Sequence, residues 1–283
     1  MSDANLGPAL LFCPADRPDR FKKAAEAADT TILDLEDAVA AGNKAIARAA
    51  LLEASLDPSR TVVRVNPRTS GHLEADLEAV RQTPFRTLML PKAETAQDLG
   101  SLAGYDVIAI CETPAGVENA RELARLDNVI ALTWGAEDLV AALGGHSSRA
   151  PDGTWRDFAR YARSRILIAA ASEGKQAFDT VHLEIPDQYG LRREANDAAA
   201  SGFSGAMCVH PSQVAIIRDA FHPDPETMTR ARAVLAAAAN AGSGVFLLDG
   251  QMIDEPVLRQ ARRILLLSTP QPDAVVAEVQ PDE

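Results

Sequence analysis

The feature that most constrains this chain is an alternation. Short apolar runs of strand length occur at 9–13, 31–35, 61–65, 87–90, 107–111, 129–133, 180–185 and 206–209. Each is nearly continuous in apolar residues, as expected for parallel strands covered on both faces. Alanine-rich helical patterns fill the intervals at 18–28, 43–54, 72–82, 95–102, 114–126, 137–143 continuing through 157–173, 187–201 and 211–221. Eight strand–helix units predict an α/β fold closed into a (βα)8 barrel. The runner-up, an open doubly wound sheet, should carry a glycine-rich phosphate turn after its first strand. Cys13-Pro14-Ala15-Asp16-Arg17-Pro18 has no glycine there.

Past Phe221 the pattern changes. The expected organisation is a barrel domain over 1–222, a C-terminal extension over 223–268 and a disordered tail over 269–283. In the extension, 224–241 and 254–267 read as helices and 244–250 as a short strand or loop. The tail has three prolines and four acids and little to bury.

A chain of 283 residues with 47% hydrophobic content can fill a core of this size. Its net charge of -12 argues against nucleic acid or an anionic membrane as partner. No basic n-region precedes the first apolar run and no run approaches about 18 apolar residues, so a cytoplasmic location is expected. Cys13, Cys111 and Cys208 lie far apart inside apolar runs and read as buried reduced thiols.

In such a barrel the C-terminal ends of the strands share the face that carries chemistry. Strand two ends in Asp34-Leu35-Glu36-Asp37, strand three in Arg64-Val65-Asn66, strand four in Pro91-Lys92, strand five in Glu112-Thr113, strand six in Gly135-Ala136-Glu137-Asp138 and strand eight in His210-Pro211. Carboxylates meeting in one cleft repel, and a divalent cation relieves that repulsion. Oxygen ligands without a His or Cys cluster favour Mg²⁺ or Mn²⁺, and Glu112 and Asp138 end neighbouring strands. A first-turn helix acid is the plainer account of Glu112, since Thr113-Pro114 has the form of a cap followed by proline. Arg64 ends an apolar run, so it meets either an anionic ligand or a carboxylate such as Glu36 or Asp37. His210 is open between a base and a satisfied core histidine. Arg17, Arg20, Lys22, Lys23 and Lys44 make the N-terminal quarter locally basic. They fit either ordinary solvated faces or a phosphate-bearing ligand.

Taken together, eight motifs are familiar: Phe12-Cys13-Pro14-Ala15-Asp16-Arg17, Leu33-Asp34-Leu35-Glu36-Asp37-Ala38-Val39, Val63-Arg64-Val65-Asn66, Leu90-Pro91-Lys92, Cys111-Glu112-Thr113-Pro114-Ala115-Gly116, Trp134-Gly135-Ala136-Glu137-Asp138-Leu139, Val209-His210-Pro211-Ser212-Gln213 and Gly250-Gln251-Met252-Ile253-Asp254. In this order, from about residue 8 to residue 266, the chain resembles the citrate lyase β-subunit-like branch of the HpcH/HpaI aldolase family, nearest to its stand-alone actinobacterial members.

The resemblance implies a TIM barrel, homotrimeric or hexameric, whose C-terminal extension acts as a lid on a neighbouring subunit. It implies a Mg²⁺-dependent lyase, with Mn²⁺ able to substitute, that cleaves or forms 3-hydroxyacyl-CoA thioesters of the malyl, citramalyl or citryl type. Carried over by position, Glu112 and Asp138 are the metal ligands, Arg64 binds substrate, and Glu36 and Asp37 hold metal-bound water. The amides of Gly135, Ala136, Glu137 and Asp138 receive a keto-acid carboxylate. Asp254 is the acid-base residue delivered into a neighbour's site. With a CoA thioester as substrate, the clustering of basic residues near the N-terminus makes Arg17, Arg20, Lys23 and Lys44 the candidates to contact its phosphates. The family commonly has Asn or a related residue where this chain has Asp16, a departure that bears on phosphate binding.

The chemistry suits these parts. Retro-Claisen cleavage leaves a thioester enolate on one fragment and a carbonyl on the other, so the site must stabilise developing negative charge. The rival readings are a citrate lyase β subunit acting on a carrier-protein thioester, an aldolase for free 2-keto acids, and a non-catalytic barrel. Glu255, Pro256 and the periodic set Val257, Leu258, Ala261, Ile264 and Leu265 follow Asp254, which gives it a second plain role as a helix cap.

Overall fold

The computed structural model of the chain describes residues 6–241 and 244–267. Its parallel strands are β1 (Ala9–Pro14), β2 (Thr30–Asp34), β3 (Thr61–Arg64), β4 (Thr87–Leu90), β5 (Asp106–Ile110), β6 (Val129–Thr133), β7 (Gln176–Asp179) and β8 (Gly205–Cys208). They pair in sequence order and β8 returns to β1, closing the barrel. The helices of this part are α1 (Phe21–Ala27), α2 (Lys44–Leu52), α3 (Leu73–Arg81), α4 (Ala96–Leu99), α5 (Pro114–Glu118), α6 (Ala120–Ala124), α7 (Ala136–Ala142), α8 (Asp157–Ser172), α9 (Gln188–Ser201) and α10 (Val214–Phe221).

Successive residues of a strand point to opposite faces, so each strand feeds two cores. Leu10, Ile32, Val62, Met89, Ile108, Ala131, Phe178 and Met207, one from each strand, pack together as the inner cluster. Their neighbours Leu11, Leu33, Val63, Leu88, Ala109, Leu132, Ala177 and Cys208 join the larger cluster that also takes the helices' apolar faces. Both faces are therefore buried, which is why the runs read as continuously apolar. Cys13, Cys111 and Cys208 are buried free thiols, as expected.

The seventh strand is a correction. The stretch 180–185, expected as a strand, pairs with no neighbour, whereas Gln176 and Ala177 pair with Ala131 and Leu132 of β6. Only four residues fit between the turn at Gly174 and the barrel mouth, and their polar ends hide the pattern. The β-like run that follows is the loop on the functional face. The helix expected over 114–126 is also divided, at Asn119, whose Nδ2 donates to the Glu94 carbonyl 2.9 Å away.

One compact unit ends at Phe221 and a second begins at His222. Within the second, α11 (Pro225–Ala241), an antiparallel hairpin of β9 (Phe246–Leu248) and β10 (Gln251–Ile253), and α12 (Glu255–Leu267) enclose a small core of Ala231, Val234, Ile253, Leu258 and Ala261. The hairpin turns at Asp249 and Gly250, both at positive φ, the two-residue geometry that Asp-Gly favours. The tail expected to be disordered, 269–283, lies outside the described residues. No helix among the described residues is long and apolar enough to cross a membrane.

Candidate active site

The two-residue period that builds the inner core also selects what stands at its mouth. Asp34 follows Ile32 by two residues, Arg64 follows Val62, and Glu112 follows Ile110, so polar side chains continue three inward-facing columns past their last apolar member. These groups meet. Arg64 donates from Nε to Asp34 Oδ1 at 2.7 Å and from Nη2 to Asp34 Oδ2 at 2.6 Å, and its Nη1 lies 3.1 Å from Glu36 Oε2. The Phe12 ring lies under the guanidinium, 4.6 Å from Cζ. Asp34 is fully buried and also accepts from the amides of Glu36 and Ala38, at 2.8 and 3.0 Å. Burial pulls against the Arg64 charge, but Asp34, Glu36 and Glu112 outweigh it and hold the guanidinium above its ordinary pKa.

On the opposite flank Glu112 is 4% exposed. Burial, the Asp138 charge and the Glu36 charge push its pKa up to about 8, against the opposing pull of Lys92 and Arg64. Burial likewise raises Glu36 despite Arg64 and Lys92. Gly135 makes this crowding possible. A Cβ there would fall 2.5 Å from Glu112 Oε2 and 3.0 Å from Glu112 Cβ, so a side chain at the end of β6 would collide with the carboxylate at the end of β5. Lys92 reaches into the same space: its Nζ is 2.7 Å from Glu36 Oε1, 3.4 Å from Asp138 Oδ1 and 4.0 Å from Glu112 Oε1.

Arg64, Glu112, Gly135, Ala136, Glu137 and Asp138 all line one cavity of about 380 Å³. Its far wall is the loop between α7 and α8 together with 180–184. Ser148 ties that loop to Glu137 Oε1 at 2.6 Å, Arg149 stacks 3.6 Å over Trp155, and Trp155 meets Trp134 edge-on at 5.3 Å. The cavity thus has a charged mouth region and an aromatic side.

The remaining predicted residues lie elsewhere. Asp37 is exposed, and Arg17, Arg20 and Lys23 are solvated on the first helical segment. Lys44 corrects the phosphate expectation: it is buried, and its ammonium donates to the carbonyls of Leu35 and Glu36 at 2.6 and 2.7 Å and to Asn66 Oδ1 at 2.9 Å. A lysine with three internal acceptors has no donor left for a ligand. Asp16 accepts from Asn43 Nδ2 at 2.8 Å. His210 is exposed and caps the turn after β8, Nδ1 facing the Ser212 amide at 3.2 Å. Asp254, in the second unit, accepts from the Val257 amide at 3.4 Å as the cap of α12. Asp34 and Lys92, strand-end residues to which the sequence assigns no role, stand at the centre: Asp34 grips Arg64, and Lys92 joins Glu36 and Asp138.

Among the described residues no three His, Cys, Asp or Glu side chains converge as a cation cage. A pair of carboxylates, one of them buried, is nonetheless the donor set Mg²⁺ takes when water and substrate oxygens complete its shell. The residues present fit that ion.

Comparison with known proteins gives the same picture over nearly the whole length. The family model described as HpcH/HpaI aldolase/citrate lyase matches residues 9–211. A citrate lyase subunit beta-like protein of Mycobacterium tuberculosis is 52% identical over 259 residues, 92% of this chain and 94% of that one. The mitochondrial citramalyl-CoA lyase of Homo sapiens is 32% identical over 92% of this chain and 85% of its own length. Among solved structures, Mycobacterium tuberculosis CitE in complex with magnesium, acetoacetate and coenzyme A superposes with a TM-score of 0.90 at 52% identity, covering 93% of this chain and 98% of that one.

Proposed function

This chain belongs to the HpcH/HpaI aldolase/citrate lyase family, and from that premise we propose that it is a Mg²⁺-dependent carbon–carbon lyase acting on 3-hydroxyacyl-CoA thioesters. Within that class we assign it to esters of the malyl, citramalyl or citryl type, cleaved or formed by Claisen-type chemistry. The observation that carries the reading is the juxtaposition of Glu112, Asp138 and Arg64 around one cavity at the C-terminal end of the barrel, with Glu36 paired to Arg64 behind them. Relatives that bear lyase names, and a relative whose structure holds magnesium and coenzyme A, support it.

Glu112 and Asp138 would hold the ion. Bound there, Mg²⁺ supplies Lewis-acid polarisation of the substrate oxygen that becomes a carbonyl. The other tasks fall to the chain itself. Arg64, locked in orientation by Asp34, lies against the thioester oxygen that gains charge, and its donors cost no reorganisation when that charge develops. Glu36 and Asp37 would orient water beside the ion. Gly135, Ala136 and Glu137 line the wall where the keto-acid carboxylate is received. Arg17, Arg20 and Lys23 meet the CoA phosphates, without Lys44. In cleavage the 3-hydroxyl proton passes to water as the carbon–carbon bond breaks, and Asp254 delivers a proton to the enolate carbon; in the condensing direction Asp254 removes a proton from the acyl methyl group, acting in a neighbouring subunit of a homotrimer or hexamer. A cytoplasmic location belongs to the same reading.

The test is binding of Mn²⁺, followed by its spin resonance, to wild type, Glu112→Ala and Asp138→Ala. Wild type should bind with loss of affinity in both variants and loss of turnover in Glu112→Ala. Unchanged affinity in both variants would sink the assignment.

A further inference from the structure

Lys92 occupies a left-handed backbone conformation, φ 53°, one of two such non-glycine residues among those described. The other, Asp249, sits in a hairpin turn where that geometry is usual. Lysine has no short polar side chain to offset the strain, and such residues persist where their surroundings compensate. Here the compensation is specific. The Lys92 amide donates to Glu112 Oε1 at 3.0 Å, while the ammonium reaches Glu36 Oε1 at 2.7 Å and Asp138 Oδ1 at 3.4 Å. One strained residue therefore holds Glu112 by its main chain and neutralises the carboxylates by its side chain.

From this geometry we propose that Lys92 competes with a divalent ion for Asp138 and Glu112, so that its ammonium must withdraw from them for the ion to bind. The inference rests on the assignment of Glu112 and Asp138 as metal ligands. Two cations drawn to the same oxygens, within a few ångströms of each other, oppose one another. Glu36 gives the ammonium somewhere to withdraw to, since it already forms the shortest of the three contacts. The amide bond to Glu112 is part of the backbone, so the carboxylate stays placed while the cations exchange. Lys92 thus offsets the charge of the mouth's carboxylates and raises the metal concentration needed for an ion to bind there.

The experiment is a Mn²⁺ titration of wild type, Lys92→Met, Lys92→Gly and Lys92→Arg, in buffer alkaline enough to keep the carboxylates charged. Glycine adopts positive φ freely, so Lys92→Gly removes the charge without imposing strain and guards against misfolding of the methionine variant. Lys92→Met and Lys92→Gly should bind Mn²⁺ at least about tenfold more tightly than wild type, the scale of one unit charge acting on a dication at this range even in a water-like dielectric. Lys92→Arg, which keeps the charge, should stay within about twofold of wild type. In Lys92→Met the thermal midpoint should fall without metal and recover when metal is added. Wild-type binding at Glu112 and Asp138 with unchanged or weaker affinity in the methionine and glycine variants overturns this inference alone. Failure of wild type to bind there overturns the metal assignment and this inference with it.

Discussion

Gly135→Ala tests the geometry of the mouth with a single carbon atom. The glycine has φ -120° and ψ 117°, an extended conformation open to alanine, so the backbone need not strain. What the new Cβ meets is Glu112: Oε2 at 2.5 Å and Cβ at 3.0 Å, both well inside ordinary contact. The carboxylate oxygen could swing away, but Glu112 Cβ cannot, because it is fixed to buried backbone at the end of β5. Relief therefore requires the two strand ends to part or the carboxylate to move by about an ångström, and misplacement of that size costs on the order of 10² in rate. Exchanging glycine for alanine at the helix start costs at most about 1 kcal/mol. We expect Gly135→Ala to fold, to lose most of its Mn²⁺ affinity and to lose about 10² in turnover. The assay is metal titration and thioester cleavage beside a thermal melt. Wild-type metal affinity with full turnover would refute the account of how β5 and β6 share this space.

Three further expectations follow from the site. Glu112 binds its proton more tightly folded than unfolded, its pKa raised by burial and by Asp138 and Glu36 from 4.5 to about 8. The folded state thus holds more protons between those values, and stability without metal should fall as pH rises through that window, by up to about 1.4 kcal/mol per unit. Saturating Mg²⁺ should flatten the trend, and a metal-free midpoint that stays level from about pH 5 to about pH 8 would contradict it. Arg64→Lys keeps the charge but loses the fork that grips both oxygens of the buried Asp34. It should lose most activity and about 1–3 kcal/mol of stability, measured by denaturant unfolding; full activity would remove Arg64 from the reaction. Asp254→Asn should still cap α12, since the amide oxygen can accept from Val257 as the carboxylate does. It should fold normally yet lose at least about 10² in turnover. Mixing it with Glu112→Ala chains should restore partial activity, and no restoration after proven subunit exchange would place Asp254 in its own chain's site.

The barrel was legible because parallel strands buried on both faces leave continuous apolar runs, and eight of them recur with helices between. β7 was not, because a four-residue strand with Gln176 and Asp179 at its ends has too little apolar length to show, and the 180–185 run imitates one. The site was legible where a charge closes an apolar run, as at Arg64 and Glu112. Asp34 carries the same signal two residues beyond Ile32, in a run of acids whose far end, Asp37, is exposed. Lys44 misled because a lysine's position in a helix does not reveal whether its ammonium turns inward; here three internal acceptors hold it. Lys92 was hidden for a related reason, since its reach across the mouth depends on a left-handed backbone that the sequence Leu-Pro-Lys does not announce.

The central claim is that these carboxylates and this arginine break a carbon–carbon bond rather than merely bind a thioester. Purified chain should be given malyl-CoA, citramalyl-CoA and citryl-CoA with Mg²⁺ and with chelator, and the products separated by mass. Metal-dependent appearance of a shorter acyl-CoA together with a free 2-keto acid in equal amounts is expected from at least one of the three. Free CoA released by simple thioester hydrolysis, or cleavage indifferent to the chelator, would contradict it.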